Sequence, residues 1–90
     1  MQMEEQILAE GCRKGDDMAR KELYDRYAGR LLSICMRYAG DRATAEDLLH
    51  DAFLKIYGAF DRFTYRGTGS LRAWIERITG NGALGGGRRH

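Results

Sequence analysis

The sequence predicts an all-α fold: a compact bundle of four helices with an ordered loop before the last one. Apolar residues recur at steps of three and four along most of the chain. No segment alternates with period two, and glycines and polar capping residues punctuate the periodic stretches. The 90 residues make one small domain with a modest core, and a hydrophobic share of 43% marks a folding chain rather than a disordered one. Proline is absent, so glycine and polar caps must end each helix.

The first helix is expected from Met3 to Lys14, with Ile7 and Leu8 apolar and Gly15 as its stop. Asp16 or Asp17 offers an N-cap for a second helix from Met18 to Ala39. Ala19, Leu23, Tyr27, Leu31, Cys35 and Tyr38 share one of its faces, widened by Leu32 and Ile34, and Gly40 supplies its C-terminal stop. The third helix is expected from Ala45 to Ala59, capped by Thr44, with Asp47 completing a capping box. Ala45, Leu48, Leu49, Ala52, Phe53, Ile56 and Tyr57 form its apolar face, and Glu46, Asp47, His50, Asp51 and Lys55 its outer face. The loop Phe60–Gly69 follows. Ser70 is the expected cap of a fourth helix, with Leu71, Trp74, Ile75 and Ile78 facing inward. Glycine costs a helix about 1 kcal/mol relative to alanine. The helical domain is therefore expected to span residues 1–81, and residues 82–90 to form a flexible Gly/Arg-rich tail.

Charge is unevenly placed. Residues 1–60 carry nine Lys/Arg against eleven Asp/Glu, whereas residues 61–90 carry six Arg against two acidic residues. The C-terminal third is where a polyanionic partner would bind. Cys12 and Cys35 lie among apolar residues at helical spacing. They read as small core residues in a reducing cytoplasm, not as a disulfide framework or a zinc site. The acidic, amphipathic N-terminus is not a signal peptide, and the apolar runs are too short to span a membrane. A cytoplasmic protein with no membrane partner is expected.

The residues argue against an enzyme. His50 stands beside Asp47 and Asp51 without a nearby nucleophile, and the carboxylates near the start of its helix complement the helix dipole. The Gly-Thr-Gly-Ser run lacks the lysine of a phosphate-binding loop. No catalytic, cofactor or metal residue is assigned. The loop and fourth helix differ in kind: Phe60, Phe63, Tyr65 and Trp74 interleave with Arg62, Arg66, Arg72 and Arg77. Aromatic faces stack on unpaired bases while arginines hold the phosphates between them, a combination suited to single-stranded nucleic acid. Phe60 and Phe63 read as core residues, Trp74 divides between core and site, and Tyr65 is the better candidate for exposure.

The run AEDLLHDAFLKIYGAFDRFTYRGTGSLRAWIERITGN, Ala45–Asn81, resembles region two of bacterial sigma factors of the extracytoplasmic-function class. The upstream GDDMARKELYDRYAGRLLSICMRYAGDRATAED is similar to the preceding part of that region, and the likeness covers about residues 7–81. The resemblance implies that Asp47, His50, Asp51, Leu54 and Lys55 dock on the beta-prime coiled-coil of core RNA polymerase. It implies that Arg62, Thr64, Tyr65, Arg66 and Ser70 belong to a loop capturing a flipped base of the non-template single strand. Arg72, Arg77 and Asn81 would then face the promoter minus-ten element. An anti-sigma factor covering these surfaces is a further partner that the resemblance implies. The alternative is a stand-alone module that binds polymerase or an anti-sigma factor without reading DNA. A helix-turn-helix repressor fits less well, because its turn holds only about three or four residues and the loop here holds ten.

Overall fold

Glycine and aspartate together set the first two turns. The structure, a computed structural model, describes residues 4–87, and side-chain surroundings through residue 82. Helix α1, Glu5–Lys14, ends at Gly15, whose φ of 80° is left-handed and whose N–H returns to the Cys12 carbonyl at 3.1 Å. Asp16 then caps α2, Asp17–Ala39, by accepting the Met18 N–H at 3.0 Å. Gly40 closes α2 with a φ of 85°.

The third helix starts earlier than its periodicity suggests. Helix α3 is Arg42–Ala59, and its cap is Asp41, not Thr44. The Asp41 carboxylate accepts the Thr44 N–H at 2.8 Å and the Thr44 hydroxyl at 3.1 Å. These bonds hold the Asp41 carboxyl below its ordinary value, the backbone bond contributing most. Charge decides the exchange of roles: a carboxylate is a stronger acceptor for helix N-terminal amides than a hydroxyl. A 3₁₀ turn, Phe60–Arg62, leads from α3 into the loop, and α4 runs Ser70–Gly87.

Helix α4 thus continues past Asn81, where glycine content predicts its end. The helical glycines keep negative φ; among the described residues only Gly15, Gly40, Gly67 and Gly69 take positive values. Each glycine raises the cost of a helix without forbidding it. The part of the predicted tail beyond Gly87 lies outside the described residues.

Helix α2 is the centre of the bundle and packs on α1, α3 and α4, while α3 also packs on α4. Its stripe is buried as expected at Ala19, Leu23, Tyr27, Leu31 and Cys35, but Tyr38, in the last turn, is 46% exposed. Leu8 and Cys12 from α1, Leu49, Phe53 and Ile56 from α3, and Leu71 and Ile75 from α4 complete the core. Thr79 is also fully buried; its hydroxyl donates to the Ile75 carbonyl at 2.8 Å, which satisfies it within its own helix. No helix among the described residues is long and apolar enough to cross a membrane.

Candidate nucleic-acid interface

An aromatic cluster fixes the loop to the bundle. Phe60 and Phe63 are 1% and 4% exposed. Their ring centroids lie 6.1 Å apart in an edge-to-face arrangement, and Trp74 sits 5.0 Å from Phe60 and 4.9 Å from Phe63. Such pairs each add about 0.5–1.5 kcal/mol beyond burial, so the loop root is a packed part of the core. Trp74 remains only half-buried. It therefore serves the core and the surface together.

The rest of the loop turns on two glycines, Gly67 at φ 110° and Gly69 at φ 91°. Both values lie where a Cβ is strained. The Ser70 N–H donates to the Gly67 carbonyl at 3.1 Å, and the Arg66 N–H donates to Ser70 Oγ at 3.1 Å. Ser70 is therefore the first residue of α4 and closes the loop instead of capping the helix. The cap comes from α1: the Glu5 carboxylate accepts the N–H groups of Gly69 and Leu71.

The outcome is a cleft of ≈ 480 Å³ lined by Arg62, Phe63, Thr64, Arg66, Ser70, Ala73, Trp74 and Arg77. It unites five residues that the sequence assigns to DNA: Arg62, Thr64, Arg66, Ser70 and Arg77. Among the described residues no ion pair engages Arg62, Arg66 or Arg77. Three arginines thus line the same cleft as the indole. Ala73 escaped the sequence reading; its signal is spacing, since it lies three residues after Ser70 and four before Arg77 on one helix face. Exposed Asn81 continues that face one turn beyond Arg77.

Two other residues are placed differently. Tyr65 is half-buried against the core and does not line the cleft. Arg72 is exposed, but its Nε donates to Glu76 at 3.0 Å, and Arg30 of α2 donates to the same carboxylate oxygen. Burial alone would push the Glu76 carboxyl up; the bonds from Arg30 and Arg72 outweigh it and hold the group below its ordinary value.

On another surface, Asp47, His50, Asp51, Leu54 and Lys55 are all exposed and share the outer face of α3. Asp51 pairs with Lys55 at 2.9 Å, and Leu54, 58% exposed, places an apolar side chain among the charges. His50 also borders a groove of ≈ 320 Å³ between α2 and α3, which includes Tyr24, Leu32 and Leu49. Among the described residues no group of His, Cys, Asp and Glu is arranged to hold a metal ion.

Fold and cleft together define an all-α module with a basic, aromatic-floored cleft and a separate charged helix face. Residues 23–90 match the family model of sigma-70 region 2, and the chain belongs to that family. It is 37% identical over 84 residues to the ECF RNA polymerase sigma-E factor of Escherichia coli (strain K12). The corresponding factor of Salmonella typhimurium (strain LT2) is 36% identical over 84 residues, and the RNA polymerase sigma-H factor of Pseudomonas aeruginosa is 33% identical over 82 residues. Each match covers 91% of this chain and 41%, 41% and 42% of the respective relative. The chain thus spans about two fifths of the length of these curated relatives.

Proposed function

We propose that this chain is the promoter-opening domain of a transcription initiation factor acting in the cytoplasm. In this reading the α3 face of Asp47, His50, Asp51, Leu54 and Lys55 docks on the beta-prime coiled-coil of core RNA polymerase. The cleft captures a flipped base of the non-template strand at the minus-ten element. The observation that carries the reading is the convergence of Arg62, Thr64, Arg66, Ser70 and Arg77 with Trp74 in one cleft.

The energetics are adequate without a chemical fuel. Stacking a base on an aromatic ring contributes about 1–3 kcal/mol, comparable to the few kcal/mol needed to take a base out of the duplex. Arg62, Arg66 and Arg77 supply phosphate contacts. Asn81 offers both a donor and an acceptor to a base edge, a type of contact that discriminates by about 1–3 kcal/mol. Tyr65 supports the loop from below in this scheme, and Arg72 stands behind its pairing with Glu76. An anti-sigma factor covering cleft or docking face would hold the domain inactive.

Fluorescence anisotropy with matched and scrambled non-template oligonucleotides tests this function. Matched DNA should bind more tightly. Asn81→Ala should reduce that preference more than it reduces affinity, and Arg66→Ala should weaken both oligonucleotides alike. Equal affinity for both sequences at moderate salt contradicts the reading. Exposed Leu54 among charged neighbours favours a second reading, in which the module binds polymerase or an anti-sigma factor without reading DNA. Capture of core polymerase that is sensitive to Asp51→Ala, with no oligonucleotide binding, would select it.

A further inference from the structure

Helix α1 holds the loop at both ends. At the loop's beginning, Arg13 Nη2 donates to the Phe63 carbonyl. At its end, Glu5 Oε1 accepts the Gly69 N–H at 2.9 Å and Oε2 accepts the Leu71 N–H at 2.7 Å. Both contacts reach across the chain, separated by 50 residues for Arg13 and by 64 and 66 for Glu5. Leu8 and Cys12, on the same helix, are 0% and 1% exposed, so the two polar groups are carried on an element seated in the core. The family match begins at residue 23, which leaves α1 outside it.

We propose that α1 is the positioning element of the base-capturing loop, with Arg13 and Glu5 acting as its two anchors. The role rests on the promoter reading given above. Neither residue lines the cleft, so both act through the residues that do. Arg13 fixes the backbone at Phe63, next to Thr64 on the cleft wall. Glu5 fixes the turn that delivers Ser70, Ala73 and Trp74. A loop held at both ends has less freedom to lose when a base enters, which favours binding in one geometry.

Glu5 has a second effect. Amides at a helix N-terminus are a ready site for a phosphate, and here two of them are already taken by a carboxylate. The strand's phosphates are thereby left to Arg62, Arg66 and Arg77 on the cleft. Removing Glu5 both loosens the loop and uncovers an unselective anion site. A merely structural role would weaken all binding alike, whereas this one predicts no loss for scrambled DNA.

Amide hydrogen exchange and oligonucleotide binding, measured on the whole chain, test the proposal. In Glu5→Ala the Gly69 and Leu71 amides should exchange at least about tenfold faster, as expected for loss of a charge-assisted hydrogen bond, while the Leu31 amide in the core keeps its protection. The matched-to-scrambled affinity ratio should fall about tenfold, a change equivalent to losing one such bond, with scrambled DNA binding as well as before or better. Glu5→Gln, which keeps the side chain's shape, should fall between Glu5→Ala and the parent in both measurements. It also serves if Glu5→Ala unfolds. Unchanged exchange at Gly69 and Leu71 overturns the anchoring. Faster exchange with an unchanged affinity ratio, or equal weakening of both oligonucleotides, overturns the role in base selection. A parent protein that does not distinguish the oligonucleotides overturns the promoter reading itself, and the exchange measurement then still decides the anchoring.

Discussion

Replacing Glu76 by glutamine should make DNA binding tighter at low salt and more sensitive to salt. Glu76 sits between Arg30 and Arg72, whose side chains are 53% and 50% exposed while that of Glu76 is 26% exposed. It therefore neutralises two guanidinium groups on the α2–α4 side of the domain. Exposed ion pairs contribute only about 0–1 kcal/mol each, so the fold should lose at most about 1–2 kcal/mol. The electrostatic effect is larger in proportion. Each additional phosphate neutralised on a single strand steepens the dependence of log K on log salt by about 0.7. Freeing one or both arginines should then steepen the slope by about 0.7–1.4. Across an approximately fourfold rise in salt, Glu76→Gln should lose about 2.5- to 7-fold more affinity than the parent. Anisotropy titrations at several salt concentrations measure this directly. Arg72→Ala should change the slope little in the parent but remove about half of the gain in the Glu76→Gln background, a non-additivity expected of residues sharing one partner. An unchanged slope in Glu76→Gln, or an equal Arg72→Ala effect in both backgrounds, would refute the masking of Arg72.

The same carboxylate predicts an acid response. Its value is depressed in the folded state, so its stabilisation is present above the ordinary carboxylate range and is lost as pH falls through the depressed value. The stability gap between the parent and Glu76→Gln should accordingly close on acidification, as read by urea unfolding at a series of pH values; a constant gap contradicts it. Gly11→Ala and Gly29→Ala should act in opposite directions. A Cβ on Gly11 would lie 2.6 Å from Ala19 Cβ, whereas one on Gly29, within α2, meets nothing within 4 Å. Overpacking of about 1–3 kcal/mol outweighs a helix-propensity gain of about 1 kcal/mol at Gly11, while Gly29→Ala should gain about 0.5–1 kcal/mol; the urea midpoints should move apart. Burial pushes the Cys12 thiol up to about 11, with Arg20 opposing it, and Cys35 is also raised by burial. The Cys12 contribution to stability is present below the ordinary thiol range and is lost as pH rises through about 11. Both thiols should resist a maleimide at neutral pH until the domain unfolds, and rapid labelling of the native protein would contradict their burial.

Local periodicity carries the bundle. The step of four from Ala19 to Cys35 buries one side of α2, and the aromatic spacing around Phe60 and Phe63 places both rings inside. The cleft is also readable in part, because Ser70, Trp74 and Arg77 share a helix face and Arg62 to Arg66 sit in the adjoining loop. What periodicity does not carry is competition between groups. Asp41 displaces Thr44 as the α3 cap because its carboxylate is the stronger acceptor. Ser70 yields its capping role to Glu5, a residue far away in the chain whose approach depends on the seating of α1. Arg72 has the right charge and helix, yet Glu76 one turn on engages it, and Arg30 on a neighbouring helix pairs with the same carboxylate. Tyr65 stands between polar residues in the sequence, but the loop folds it against the core.

Trp74 provides the most direct test of the cleft. It is the single tryptophan of the chain, is half-buried and lines the cleft. Its fluorescence, followed during titration with a non-template minus-ten oligonucleotide, reports whether a base reaches the indole. Saturable quenching that parallels the anisotropy signal and requires less matched than scrambled DNA is the predicted result. Saturated anisotropy with unchanged Trp74 emission would place the DNA elsewhere on the domain and contradict the account.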